Sequence, residues 1–84
     1  MPSHTITSKI AFIGGGQMAE AMVGGLLSGQ VCSAELMWAA DPVAERRDRL
    51  KSQFGIRVGP SNSEAVAWAD VVVLAVKPQM LPAV

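Results

Sequence analysis

Lys9 to Ile13 is a short apolar run that ends on three consecutive glycines, Gly14 to Gly16. Beyond them the apolar period changes. Met18, Met22 and Leu26 form one i,i+4 row and Ala19, Val23 and Leu27 the next, which is the signature of a helix with a wide apolar face. A strand that turns within a few glycines into a helix restricts the chain to architectures that alternate the two elements. Gly29 suits the end of this helix. Gly24 and Gly25 cost it roughly 1 kcal/mol each against alanine, which points to close approach of the helix to a neighbouring backbone.

The alternation continues. Glu35 to Ala40 reads as a second strand, and "DP" opens a second helix over 42–54, with Asp41 as N-cap and Pro42 in the first helical position. Val43, Leu50 and Phe54 mark its buried stripe, Glu45 and Arg49 form an i,i+4 pair, and Gly55 suits the C-cap. "IRV", 56–58, is a brief third strand. Ser61 followed three residues later by Glu64 is a capping box for a helix over 62–68. Val71 to Val76, apolar at every position, predicts a strand covered on both faces and stopped at Lys77-Pro78. The order βαβαβαβ predicts an α/β fold with a parallel sheet and right-handed crossovers. Residues 1–8, polar and without period, are expected to be a loose tail ahead of a domain over 9–84.

Half of the residues are apolar, 17% are charged, and the formal net charge is zero. This balance argues against disorder and offers no basic excess for nucleic acid or an acidic membrane face. The longest apolar run is too short to span a bilayer, and the N-terminus lacks the pattern of a signal peptide. The single cysteine, Cys32, excludes an internal disulfide and reads as a neutral loop residue. A cytoplasmic protein is expected. His4 has no neighbours with which to bind a metal or catalyse, no metal-ligand spacing is present, and Trp38 and Trp68 read as packing aromatics.

Gly14, Gly16 and Ala19 match G-x-G-x-x-G/A in its confirming context, after a strand and at the start of a helix. Gly14 permits the tight turn, Gly16 lets backbone N–H groups approach a pyrophosphate, and Ala19 lets the helix pack on the strand. The helix N-terminus then presents unpaired N–H groups and a positive dipole end. Asp41, closing the second strand, is placed to accept hydrogen bonds from an adenosine ribose, which leans to NAD. Arg46 and Arg47 could instead admit the 2′-phosphate of NADP, or form a solvated charged face. In a Rossmann-like strand order of 3-2-1-4, residues 75–78 share a crevice with the glycine loop, which brings Lys77 toward the nicotinamide.

"KIAFIGGGQMAEAMVGGLL", "ADP" and "GIRV…SNSEAVAWADVVVLAVKPQ" resemble the N-terminal part of the pyrroline-5-carboxylate reductases over nearly all of residues 9–80. The glycine loop joined to "LAVKPQ" is the specific part. The resemblance implies hydride transfer from NADPH or NADH to the C=N carbon of 1-pyrroline-5-carboxylate, giving proline. It assigns cofactor contacts to Gly14, Gly15, Gly16, Gln17, Met18, Ala19, Asp41, Asn62, Ala75, Val76 and Lys77. Asn62 reads equally as a helix N-terminal residue. Many members carry Ser, Thr or Asn where Asp41 stands, which suits NADPH; the aspartate departs from that pattern. Members continue into a helical domain that dimerises and completes the substrate site. This chain is therefore expected to be a truncated cofactor-binding part, with the catalytic residues and the homo-oligomer contacts in the part beyond it. The alternatives are another dehydrogenase of the same fold, such as a hydroxyacid or ketoacid reductase, and a non-catalytic dinucleotide-binding module.

Overall fold

The computed structural model describes residues 6–75. His4, Val76 and Lys77 lie outside them. Four strands, β1 (Ile10–Ile13), β2 (Met37–Ala40), β3 (Arg57–Gly59) and β4 (Val71–Leu74), alternate with three helices, α1 (Gln17–Ser28), α2 (Ala44–Phe54) and α3 (Asn62–Trp68). All strand pairs are parallel and the order is β3-β2-β1-β4. The Rossmann-like sheet expected from the alternation is the one observed.

Side chains alternate across the sheet. On one face Ile10, Phe12, Met37 and Ala39 pack with Ala19 and Val23 of α1, Leu50 of α2 and Ile56. Burying Phe12, Met37, Leu50, Ile56 and Val23 stabilises the fold by roughly 1.5–3 kcal/mol per side chain. On the other face the small residues Ala11 and Ala40 lie against Ala65 of α3. Trp38 meets Trp68 edge-on there, with ring centroids 5.4 Å apart. Lys9 and Arg57 each stand 5.7 Å from the Trp68 ring.

Several boundaries differ from the expectations. β2 begins at Met37, the register partner of Ile10, so Glu35 and Leu36 have no strand opposite them. They belong instead to a 3-10 turn over Ala34–Leu36. α2 begins at Ala44 rather than at residue 42, with Val43 as N-cap, because the Asp41 carboxylate is shared between Val43 N–H ahead of the helix and Gly15 N–H of the glycine loop. Val43 is consequently 41% exposed and outside the buried stripe. Arg49 reaches across to Glu20 of α1 (3.6 Å) rather than pairing with Glu45. A Cβ on Gly24 would meet the ring of Phe54 at 3.5 Å, a side chain rather than a backbone, and one on Gly25 would meet nothing within 4 Å. Ile6, in the stretch read as tail, packs on the core and donates its N–H to Val31 O at 2.7 Å.

β4 departs most. Among the described residues it pairs with β1 alone, and Val71, Val72 and Leu74 are exposed, Leu74 by 62%. The expected cover on both faces is absent from the described residues. The Met22 and Leu26 row of α1 borders, with Val71 and Val73, an open apolar groove on this side.

Gly29 ends α1 in an ordinary right-handed conformation, and the left-handed position falls on Gln30 (φ 55°). Gln30 N–H donates to Leu27 O (3.1 Å) and Val31 N–H to Leu26 O (3.0 Å). This is the paired closure that normally places glycine at the left-handed residue. Gln30→Gly should therefore raise stability by about 0.5–1 kcal/mol in denaturant unfolding. Cys32 lies in the loop after α1, as expected, but it is buried, and burial pushes its thiol pKa up. At neutral pH its thiolate fraction is thus reduced further. Alkylation should be slow in the native chain and should accelerate once denaturant exposes Cys32.

Candidate functional site

The carboxyl ends of β1 and β4 meet beside the glycine loop, where Ala75 N–H donates to Ile13 O at 2.8 Å. A crevice of about 960 Å³ opens there, bordered by Gly14–Met18, Asp41, Asn62 and Ala75. The candidate residues drawn from β1, β2, α3 and the end of β4 thus come together. Ala19 is fully buried against the core and does not border the crevice.

The three glycines meet different constraints. Gly14 has φ 107°, a conformation that L side chains rarely adopt, and its N–H donates to Ala40 O at 2.8 Å. A Cβ on Gly15 would stand 3.1 Å from Asp41 Cβ and 3.2 Å from Leu50 Cδ1, so this residue is fixed by close packing. Gly16 has a backbone conformation open to any residue, φ −85° and ψ −156°, and a Cβ there would meet nothing within 4 Å. The protein's own packing does not require glycine at 16. A ligand approaching the backbone would. Gly16 is also the N-cap of α1 and supplies no side-chain acceptor, so the first-turn N–H groups of the helix keep their donors for a ligand. These features fit a pyrophosphate.

Asp41 is buried, with 2% of its surface exposed. Gly15 N–H donates to its Oδ2 at 2.7 Å and Val43 N–H to its Oδ1 at 2.8 Å. Arg46 Nη1 lies 3.5 Å from Oδ2, and the Arg46 side chain is 53% exposed at the crevice wall. Arg47 is committed elsewhere, its Nη1 donating to Asp41 O at 2.9 Å. Asn62 is the first residue of α3 and borders the crevice, while Ser61 caps that helix by accepting from Glu64 N–H at 3.2 Å. The ion pair of Glu20 with Arg49 stands at the rim. Sequence reasoning missed it because it joins two helices whose relative placement no local spacing encodes. Among the described residues no group of three His, Cys, Asp or Glu side chains is arranged to hold a metal.

A sequence model of the family described as NADP oxidoreductase coenzyme F420-dependent matches residues 9–84. The chain belongs to this family. It is similar to the pyrroline-5-carboxylate reductase of Pseudomonas aeruginosa, 53% identical over 78 residues that cover 93% of this chain and 28% of that protein. It is also similar to the pyrroline-5-carboxylate reductase of Escherichia coli, 40% identical over 74 residues, covering 87% of this chain and 27% of that protein. A solved pyrroline-5-carboxylate reductase from Coxiella burnetii superposes with a TM-score of 0.81 at 36% identity, over 90% of this chain and 28% of that one. The chain spans little more than a quarter of the length of the relatives it matches. The resemblance carried by the glycine loop and "LAVKPQ" thus extends over almost the whole segment.

The division of labour among the glycines can be measured by denaturant unfolding. Gly14→Ala should destabilise the chain by about 1–2 kcal/mol, since alanine must adopt a left-handed conformation. Gly16→Ala should leave stability within about 0.5 kcal/mol of wild type.

Proposed function

We propose that this chain is the dinucleotide-binding part, over residues 9–84, of a pyrroline-5-carboxylate reductase. The carrying observation is Gly16: space beside its backbone is open, the fold does not need it for packing, and it borders the crevice at an uncapped helix N-terminus. The pyrophosphate of NADPH or NADH would lie against the Gly16, Gln17 and Met18 backbone, within reach of the α1 dipole. Ala75, Val76 and Lys77 would border the nicotinamide end, and Asn62 the wall between. The bound nicotinamide supplies a hydride to the C=N carbon of 1-pyrroline-5-carboxylate; the chain's own residues hold and orient it. Binding of the substrate carboxylate and delivery of a proton to the nascent amine belong to residues beyond this chain. The homo-oligomer contacts belong there too, and the protein acts in the cytoplasm.

Arg46 carries the cofactor preference in this reading. Arg47 is held by a backbone carbonyl, whereas half of the Arg46 side chain is exposed at the crevice. A guanidinium there suits the 2′-phosphate, so NADPH is the preferred cofactor.

Titration calorimetry with NADPH tests the binding. Gly16→Ala should weaken it roughly tenfold or more while leaving the fold intact. Unchanged affinity would remove the pyrophosphate from this loop. Arg46→Ala should weaken NADPH about tenfold and NADH by less than about twofold. For the reaction, the full-length protein should oxidise NADPH when given 1-pyrroline-5-carboxylate, and failure to do so would sink the assignment.

A further inference from the structure

Asp41 occupies the position from which an acidic residue at the end of a second strand ordinarily binds the adenosine ribose. Its surroundings argue against that task. Every polar group it has is already engaged within the chain. Its N–H donates to Gly59 O (3.1 Å), and its carbonyl accepts from Arg47 Nη1 (2.9 Å). Its carboxylate accepts from Val43 N–H on Oδ1 (2.8 Å) and from Gly15 N–H on Oδ2 (2.7 Å), with Arg46 also beside Oδ2. At 2% exposure the carboxylate presents almost no surface to a ribose hydroxyl, although Asp41 borders the crevice.

The Gly15 contact is also tight in the steric sense. Space for a Cβ is closed by Asp41 Cβ at 3.1 Å and Leu50 Cδ1 at 3.2 Å. Loop and carboxylate are therefore pressed together, and neither can leave without the other moving. The middle N–H of the loop is withdrawn from any ligand, and the Gly16–Met18 backbone borders the crevice at a helix start that has no side-chain cap.

We propose that Asp41 is the positioning residue of the glycine loop: its buried carboxylate fixes the loop through the Gly15 N–H, and it does not bind the ribose. The inference rests on the reading of the crevice as a dinucleotide site. It implies that Asp41 sets affinity for NAD⁺ and NADP⁺ alike and leaves the choice between them to other residues.

The test uses the ¹⁵N-labelled chain with NAD⁺ and NADP⁺ as probes. In D41N the Gly15 amide proton should shift strongly upfield and exchange with solvent roughly tenfold faster or more. Both dinucleotides should weaken by a similar factor, with their affinity ratio changed less than about threefold. A residue that merely helped to start α2 would move the Val43 amide and leave Gly15 in place. Loss of NAD⁺ affinity alone, with the Gly15 resonance unshifted, would overturn the proposal. Should D41N fail to fold, the wild-type chain decides. A through-hydrogen-bond coupling between the Gly15 amide nitrogen and the Asp41 carboxyl carbon should persist at NAD⁺ saturation, and its disappearance on saturation would overturn the proposal. If the wild type bound neither dinucleotide, the reading of the crevice would fail separately, and the Gly15 resonance in the free chain would still decide the role of Asp41.

Discussion

The hydrogen bond from Gly15 N–H to Asp41 Oδ2 joins residues 26 positions apart and ties the loop after β1 to the end of β2. Much of the crevice depends on it. A buried carboxylate is tolerated only where donors replace water, and here two backbone N–H groups and a nearby guanidinium do so. In turn the carboxylate decides where the neighbouring elements begin. It holds Val43 outside the helix, so α2 starts two residues later than the Asp-Pro pair implies, and it leaves Gly16 as the bare N-cap of α1.

The order of elements was legible because each rests on a local pattern. The period change after the glycines, the Asp41 to Phe54 stretch with Gly55 after it, and the Ser61 and Glu64 pair all act within a few residues. The same holds for the conformational demand at Gly14. What was not legible depends on partners distant in the chain. Glu35 and Leu36 look like strand until the register shows that β1 offers them nothing to pair with. Leu26, Leu27 and Val31 close the end of α1 so that the left-handed residue is Gln30, one beyond the glycine. Asp41 as a helix cap and Asp41 as a loop anchor look identical in sequence, since the difference lies in the packing of Gly15 against Leu50. Val71 to Val76 reads as a covered strand, yet Val71, Val72 and Leu74 are exposed, because hydropathy reports what a segment can bury, not what lies against it.

The two ends of the sheet are built differently. At the carboxyl end, small residues and open donors border a crevice. At the opposite end, the Asp70 carboxylate accepts from Lys9 N–H at 3.0 Å, Val71 N–H donates to Lys9 O at 3.0 Å, and Lys9 and Arg57 flank Trp68. That end sets the register of β4 on β1 and with it the height at which Ala75 reaches the glycine loop. Packing at the closed end therefore fixes geometry at the open end through four residues of parallel strand.

The parallel order β3-β2-β1-β4 contains no hairpin. Each pairing must close a loop that includes a helix, and the Lys9–Asp70 contact spans 61 positions. Such topologies are kinetically demanding, because chain entropy is lost before the rewarding contacts form. On a ribosome β1 would emerge first and wait for its second neighbour until β4 had been made. Until then the apolar edge of β1 would be open to any other strand, a period in which chaperones, rather than the final stability of the sheet, would govern the yield of folded chain.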